Sequence, residues 1–400
     1  MLSTLDLPEG GALGPSLTIR MLFLALMLVY LLLLRHKRAI IMFLAIGVCW
    51  LASLGYELYR GENFSIMTEI EYIVRFCYCL MCLVVGESVL RHSGSGLRER
   101  VDKLLCVAAL TAALGVLVPY LFEMGFYTYA DPLGYRGSRG FYYAGNDITV
   151  VMMLILPLML SAWMEDGSWR SGWGWLRAVS VSLSVVALLI IGTKTAFLAL
   201  AVIGGVMLVY AAIELIRKKS PTMLLRYAVA AALAFGVFML LSFSGGVDPT
   251  ETVMGSVAAT EQYAEQAGAE LVVFSGRLYY LRLSWADFKD ALPLSAIVGT
   301  GRAMHEKIIE MDTIEVAVYY GVLGLASMLW LYLANGVKVI IDLFRCFSLR
   351  NLACCTALAL CVGFVCWRVM CFSPPPRDFI SHLCSATPAL NVPARGRRQK

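Results

Sequence analysis

The stretch LRAVSVSLSVVALLIIGTKTAFLALAVIGGVMLVYAAIELI, residues 176 to 216, decides how this chain is threaded. A helix that crosses a bilayer needs about 20 mostly apolar residues, and this run holds about twice that. It reads either as one over-long helix or as two helices joined by a sharp turn. Basic residues decide between them. Arg170 and Arg177 stand at one end, and Arg217, Lys218, Lys219 and Arg226 at the other. By the positive-inside rule both ends face the cytoplasm, so the chain crosses twice. It is expected to turn back near Ile191-Gly192-Thr193-Lys194-Thr195, on the outer side.

The rest of the chain repeats the pattern. Of its 400 residues, 60% are hydrophobic and 15% charged, against soluble averages of roughly 45 to 50% and about 25%. Apolar runs predict spans at 16 to 34, 39 to 55, 68 to 90, 104 to 122, 147 to 164, 176 to 192, 195 to 216, 222 to 243, 313 to 334 and 352 to 371. The expected fold is an all-α polytopic membrane protein of roughly ten transmembrane helices, a single integral-membrane domain over residues 1 to 400. The first run follows the acidic opening MLSTLDLPEG, which has no basic region. It is expected to be a retained helix rather than a signal peptide.

The net charge of +5 raises nucleic acid as a partner, but the cations sort by side. Arg35, Lys37 and Arg38 fall in the first loop, and Arg91, Arg98, Arg100 and Lys103 in the third. Lys338, Arg345 and Arg350 follow the ninth span. These cations mark cytoplasmic loops, so the N-terminus and the even loops face outward and no nucleic-acid partner is expected. A charge at mid-bilayer costs about 2.5 to 3.5 kcal/mol on insertion scales. Glu69, Glu71, Arg75 and Glu87 are therefore expected to face the bundle interior, with Glu71 and Arg75 able to pair. The chain has twelve cysteines. Cys77, Cys79 and Cys82 include a C-x-x-C, but they sit in an apolar span without partner histidines. They read as small buried hydrophobes, with no zinc or redox centre.

Two outward loops are too rich to be mere connectors. FEMGFYTYADPLGYRGSRGFYYAGND, residues 122 to 147, carries Arg136 and Arg139 on the side where short loops usually lack cations. Its aromatics suit an interfacial belt. Arg139, directly before a helix start bearing glycine and Asn146, suits an anionic or sugar-bearing ligand. The second loop, 244 to 312, is the only long soluble segment. Within it Leu278, Leu281, Trp285 and Phe288 recur at three- and four-residue steps, predicting an amphipathic helix on the outer membrane surface over 275 to 292.

That loop ends in GTGRAMHEKIIEMD, residues 299 to 312. GTG reads equally as a nest of amides near a phosphate or as a bland turn before a helix. His305 has Arg302, Glu306, Glu310 and Asp312 close by in sequence, a set able to orient or deprotonate an acceptor hydroxyl. Acids in a first helical turn also favour the helix dipole, which accounts equally well for Glu310 and Asp312. Arg139, Lys194, Arg277 and Arg302 come from separate outward segments. Converging, they form an anion site suited to a lipid-linked pyrophosphate.

The ordered set RGFYYAGND, GTKTAF, SGR, then GTG with a following histidine and IIEMDTIEVAVYYGVLG, resembles the O-antigen ligase and O-antigen polymerase superfamily. The likeness spans roughly residues 135 to 325. It implies a GT-C type membrane glycosyltransferase that takes a glycan from undecaprenyl pyrophosphate on the outer face of the bacterial inner membrane. By likeness Arg139, Lys194, Arg277 and His305 match family positions. The reaction expected on these residues is inverting and, since no clustered carboxylate and histidine set suits a divalent metal, needs no metal or cofactor. Arg139, Lys194, Arg277 and Arg302 hold the pyrophosphate, and His305 assists the acceptor, oriented by Glu310 or Asp312. The implied partners are the lipid-linked donor, a glycan or lipid-linked acceptor, the bilayer and polysaccharide-assembly proteins.

Ligases typically show His-Asn where this chain has His305-Glu306. The acidic EMD that follows leans toward repeat-unit polymerases, which join lipid-linked units, over ligases, which transfer to lipid A core. A lipid-linked glycan flippase shares the topology and the cations, but no internal repeat is visible. A purely structural membrane partner has no need of the long loop with its arginines and histidine. The Pro- and Arg-rich tail, 373 to 400, departs from the family, whose members often carry further helices there.

Overall fold

The computed structural model describes residues 15–35, 37–60, 66–92, 96–131, 134–142, 145–166, 171–218, 221–243, 254, 285, 294–301 and 312–370. In chain order the elements are α1 (Pro15–Leu33), α2 (Lys37–Arg60), α3 (Ile66–His92), α4 (Leu97–Leu121), β1 (Phe126–Asp131) and β2 (Gly134–Gly140). Then come α5 (Gly145–Asp166), α6 (Gly172–Ile191), α7 (Lys194–Lys218), α8 (Thr222–Phe243), α9 (Leu294–Val298), α10 (Asp312–Arg345) and α11 (Leu349–Met370).

The expected turn between α6 and α7 is present. Gly192 closes α6 in the left-handed conformation, its N–H bonded to the Leu188 carbonyl. Thr193 then opens α7, its hydroxyl accepting the Ala196 N–H at 3.2 Å, an N-cap that satisfies one orphan donor of the new helix.

A helix lies over each of the ten expected spans, but length and composition qualify fewer as crossings. Among the described residues six helices, α2 and α4 to α8, are long and apolar enough to cross a membrane, and the bent α10 makes a seventh if its two arms count as one span. The apolar parts of α1 and α11 are short, Thr18–Leu33 and Leu349–Leu360. α3 carries Glu69, Glu71, Arg75 and Glu87, the charges that set it apart from the others. Of these, Glu69 is buried as expected; the side chains of Glu71, Arg75 and Glu87 lie outside the described residues.

Three expectations are corrected. The segment 122 to 147 is not only a loop: β1 and β2 form an antiparallel hairpin running from the pair Phe126 and Gly140 to the pair Asp131 and Gly134, with a bulge after Phe126. Its Phe, Tyr and Thr residues favour a pleated surface, so the fold is mostly helical rather than all-α. The ninth span runs on to Arg345, carrying Lys338 and Arg345 inside a helix, with a break at Gly321. Cys82 is exposed on α3, its thiol facing Met27 at 3.9 Å, while Cys77 is half-buried.

The main core is built from α4 to α8 and α11. α5 and α6 are its centre, each with 67% of its most apolar window buried, against 11% for α8, which packs on the core through partly buried residues such as Leu224, Leu233 and Phe238. Small residues such as Ala109, Ala113, Ala178, Ala187 and Ala199 let the backbones approach, the usual basis of helix association in lipid. Several polar groups inside bond across helices. Ser182 Oγ donates to the carbonyls of Ala178 at 2.8 Å and Ala230 at 3.0 Å, and Trp163 Nε1 to the Arg226 carbonyl at 2.9 Å. α1, α2 and α3 form a smaller cluster around Leu31, Ala39, Met81 and Val84.

Candidate functional site

Three segments meet at one end of the bundle, beside α4, α5 and α6. The hairpin is held there by its main chain. Phe141 N–H donates to the Gly115 carbonyl of α4 at 3.1 Å. Gly140 has φ 61°, and a Cβ there would overlap the Gly115 backbone. Glycine is thus required at this position both by conformation and by space. The same close approach recurs at Gly137, where a Cβ would strike the Ile191 carbonyl at the end of α6. Tyr142 adds a long bond from its hydroxyl to the Ala112 carbonyl at 3.4 Å.

The start of α5 joins the same cluster. Thr149 donates to the Gly145 carbonyl at 2.8 Å and meets the Thr193 hydroxyl at 3.2 Å, tying α5 to the α6–α7 turn. A Cβ at Gly145 would lie 3.8 Å from Arg139 Cβ and 3.8 Å from Ile191 Cγ2. The hairpin end, the head of α5 and the turn are therefore mutual neighbours.

Two of the predicted cations sit here. Arg139, half-buried, is the last residue but one of β2, with its guanidinium 5.4 Å from the Phe126 ring centre, a cation–π contact that steadies the charge. Lys194 is the first residue of α7 and is exposed. A cation at a helix N-terminus opposes the dipole, a cost of about 0.3 to 1 kcal/mol. Lys194 and Arg139 thus stand on neighbouring segments, with Asp147 in the first turn of α5 as the nearby acid in sequence. Arg277, Arg302, His305 and Glu310 lie outside the described residues, as does the expected amphipathic helix apart from Trp285, which is helical and exposed. Asp312 opens α10, but its side chain is likewise outside the description.

GTG lies against α2 and α10. All three of its amides are engaged. Gly299 N–H donates to Ser295 O at 2.8 Å, Thr300 N–H to Val318 O at 2.9 Å and Gly301 N–H to Tyr319 O at 2.9 Å. None is left for a phosphate, so of the two readings the turn is correct and the nest is not. The stretch instead occupies the break in α10 and satisfies the carbonyls that precede it. Beside it, Glu57 of α2, Glu69 of α3 and Glu315 of α10 are all buried. Tyr72 packs against Tyr319 and Tyr320 at ring distances of 5.6 and 5.7 Å. Sequence reasoning singled out Glu69 but not Glu57 or Glu315. Glu57 carries the same signal, a carboxylate inside an apolar run.

The architecture is that of a multi-pass helical membrane protein. The chain belongs to the O-antigen ligase-like family: the model described as O-antigen ligase like membrane protein matches residues 14–268. No curated protein and no solved structure matches the chain. Membership brings with it membrane glycosyl transfer in polysaccharide biosynthesis, on lipid-linked glycans. The matched region contains Arg139 and Lys194 and ends before Arg277.

Proposed function

We propose that this protein is a repeat-unit polymerase that takes its glycan from undecaprenyl pyrophosphate at the outer face of the bacterial inner membrane. The observation that carries this reading is the meeting of the Arg139 and Lys194 segments at one outer end of the bundle, inside the family match. In this reading all ten long helices cross, with the N-terminus and the long loop outside. Arg139 and Lys194, joined by Arg277 and Arg302, neutralise the pyrophosphate. Arginine offers it bidentate geometry, and preorganised cations stabilise the developing charge without a metal.

The acceptor hydroxyl attacks the anomeric carbon from the face opposite the pyrophosphate. As the new C–O bond forms, the bond to the phosphate oxygen breaks and the configuration inverts. His305 takes the hydroxyl proton, and Glu310 or Asp312 orients it. The family description itself favours a second reading, ligase, in which the same donor chemistry serves a lipid A core or other terminal acceptor.

The test is surface glycan length by gel in cells carrying Arg139→Ala or His305→Ala at normal protein levels. Loss of an acid–base group lowers rate by about 10²- to 10⁴-fold, so the ladder collapses to single units. A normal ladder in both variants overturns the site. A normal ladder of lipid-linked units that no longer reaches lipid A core identifies a ligase.

A further inference from the structure

The β1–β2 hairpin is irregular at one place, and Arg139 sits in it. Phe126 is paired with Gly140 and Tyr127 with Ser138, which makes Arg139 the extra residue of the bulge. Regular alternation would turn Arg139 to the face opposite Gly140, and therefore away from Phe126, the cross-strand neighbour of Gly140. A bulge re-aims the side chain it carries, and bulges are common beside active sites. Here it brings the Arg139 guanidinium onto the Phe126 ring, 5.4 Å from its centre.

The main chain on both sides of this contact is closely held. Gly125, just before the ring, has φ 101°, and a Cβ there would lie 2.7 Å from the Gly140 carbonyl oxygen and 3.0 Å from Pro119 Cβ of α4. On the other strand the Arg139 carbonyl accepts the Tyr142 N–H at 3.1 Å, and Gly140 N–H donates to Ser138 Oγ at 3.2 Å. Phe126 itself is 53% exposed, so burial in the core does not account for it. A place in an interfacial belt accounts for an exposed ring but not for the bulge that turns an arginine onto it.

A ring restrains a guanidinium differently from a carboxylate. A carboxylate holds the group and cancels its charge. The face of a ring attracts the cation through its quadrupole and leaves the charge in place, so the planar fork of donors still suits phosphate oxygens. We propose that Phe126 is a positioning residue for glycan transfer, its ring holding the Arg139 guanidinium across the bulge in the orientation that meets the donor pyrophosphate. This role rests on the proposed function, in which Arg139 binds that group.

The test is transfer from a lipid-linked donor by the full-length protein in detergent. A trifluorinated phenylalanine placed at 126 keeps the ring's shape and apolar character but withdraws electron density from its face, a change that packing alone does not register. Phe126→Leu and the trifluorinated ring should each lower kcat/KM for the donor by about 5-fold, the scale of a partly desolvated cation–π contact. Phe126→Trp, the strongest ring of this kind, should lose less than Phe126→Leu. The trifluorinated ring carries the test if Phe126→Leu does not fold. A trifluorinated protein that transfers at the wild-type rate overturns the proposal, because the ring then acts only by packing; an unaltered rate in Phe126→Leu overturns it too. Arg139→Ala, run alongside, separates the two claims. Loss in Arg139→Ala with a silent trifluorinated ring overturns the positioning role alone, whereas wild-type transfer in Arg139→Ala overturns the assignment of Arg139 in the proposed function and the role of Phe126 with it.

Discussion

Gly140→Ala tests how the hairpin presents Arg139. Two costs arise at this position. An L-residue held in the left-handed region loses roughly 1 to 2 kcal/mol. The added Cβ overlaps the main chain of Gly115, which no rotamer change relieves, so the end of β2 must lift away from α4 and stretch the Phe141 to Gly115 bond of 3.1 Å. A displacement of about 1 Å in a positioned group costs on the order of 10²-fold in rate. Arg139 is the residue immediately before Gly140, so it moves with it. The assay is transfer from a lipid-linked donor by purified protein, with Arg139→Ala run in parallel. The reasoning predicts that Gly140→Ala loses about 10²-fold and that Arg139→Ala adds little on top of it, because both act through one group. Gly140→Ala transferring at the wild-type rate while Arg139→Ala does not would refute the claim that this glycine sets the arginine's place. Full activity in both would remove Arg139 from the site.

Thr193→Ala removes the N-cap of α7 and the partner of Thr149 and should cost about 1 to 2 kcal/mol in thermal unfolding in detergent, with Thr193→Ser close to wild type. Arg350 holds Asp102 in a two-bond pair, 2.9 and 3.2 Å, that joins α11 to α4. Arg350→Met should destabilise by about 1 to 3 kcal/mol, less than a fully buried pair because the Arg350 side chain is 29% exposed, and Asp102→Asn on the same background should recover part of that loss. Transfer by purified protein should persist in EDTA; activity that vanishes with EDTA and returns with Mg²⁺ contradicts the cationic mechanism.

The threading was legible because charge and hydropathy are local. The turn at Gly192 follows from cations at both ends of one apolar run, and nothing distant was needed. The hairpin was not legible, since glycines and arginines break the alternation of β2, GYRGSRG, and its stability comes from main-chain contacts with α4 and α6. GTG was ambiguous for the same reason. Whether its amides are free depends on carbonyls near residue 318, and only the folded chain brings those close. Glu69 was legible as an interior acid by the cost of burying charge, but the Tyr320 hydroxyl that bonds it was not, because Tyr320 lies on another helix. The cations divide likewise: the segments bearing Arg139 and Lys194 become neighbours only through the packing of α5, β2 and the α6–α7 turn.

The hairpin that carries Arg139 hangs from carbonyl oxygens and α-carbons of α4 and α6. Those atoms are present whatever side chains the helices bear. Exchange of one apolar residue for another through the core therefore leaves the height of Arg139 above the bundle nearly unchanged, as long as Gly115, Gly137 and Gly140 stay glycine. The sequence can drift widely in its lipid-facing and core positions while this arginine keeps its station, and an engineer who wants to alter the depth at which it meets an anion must edit three glycines rather than the surrounding hydrophobic residues.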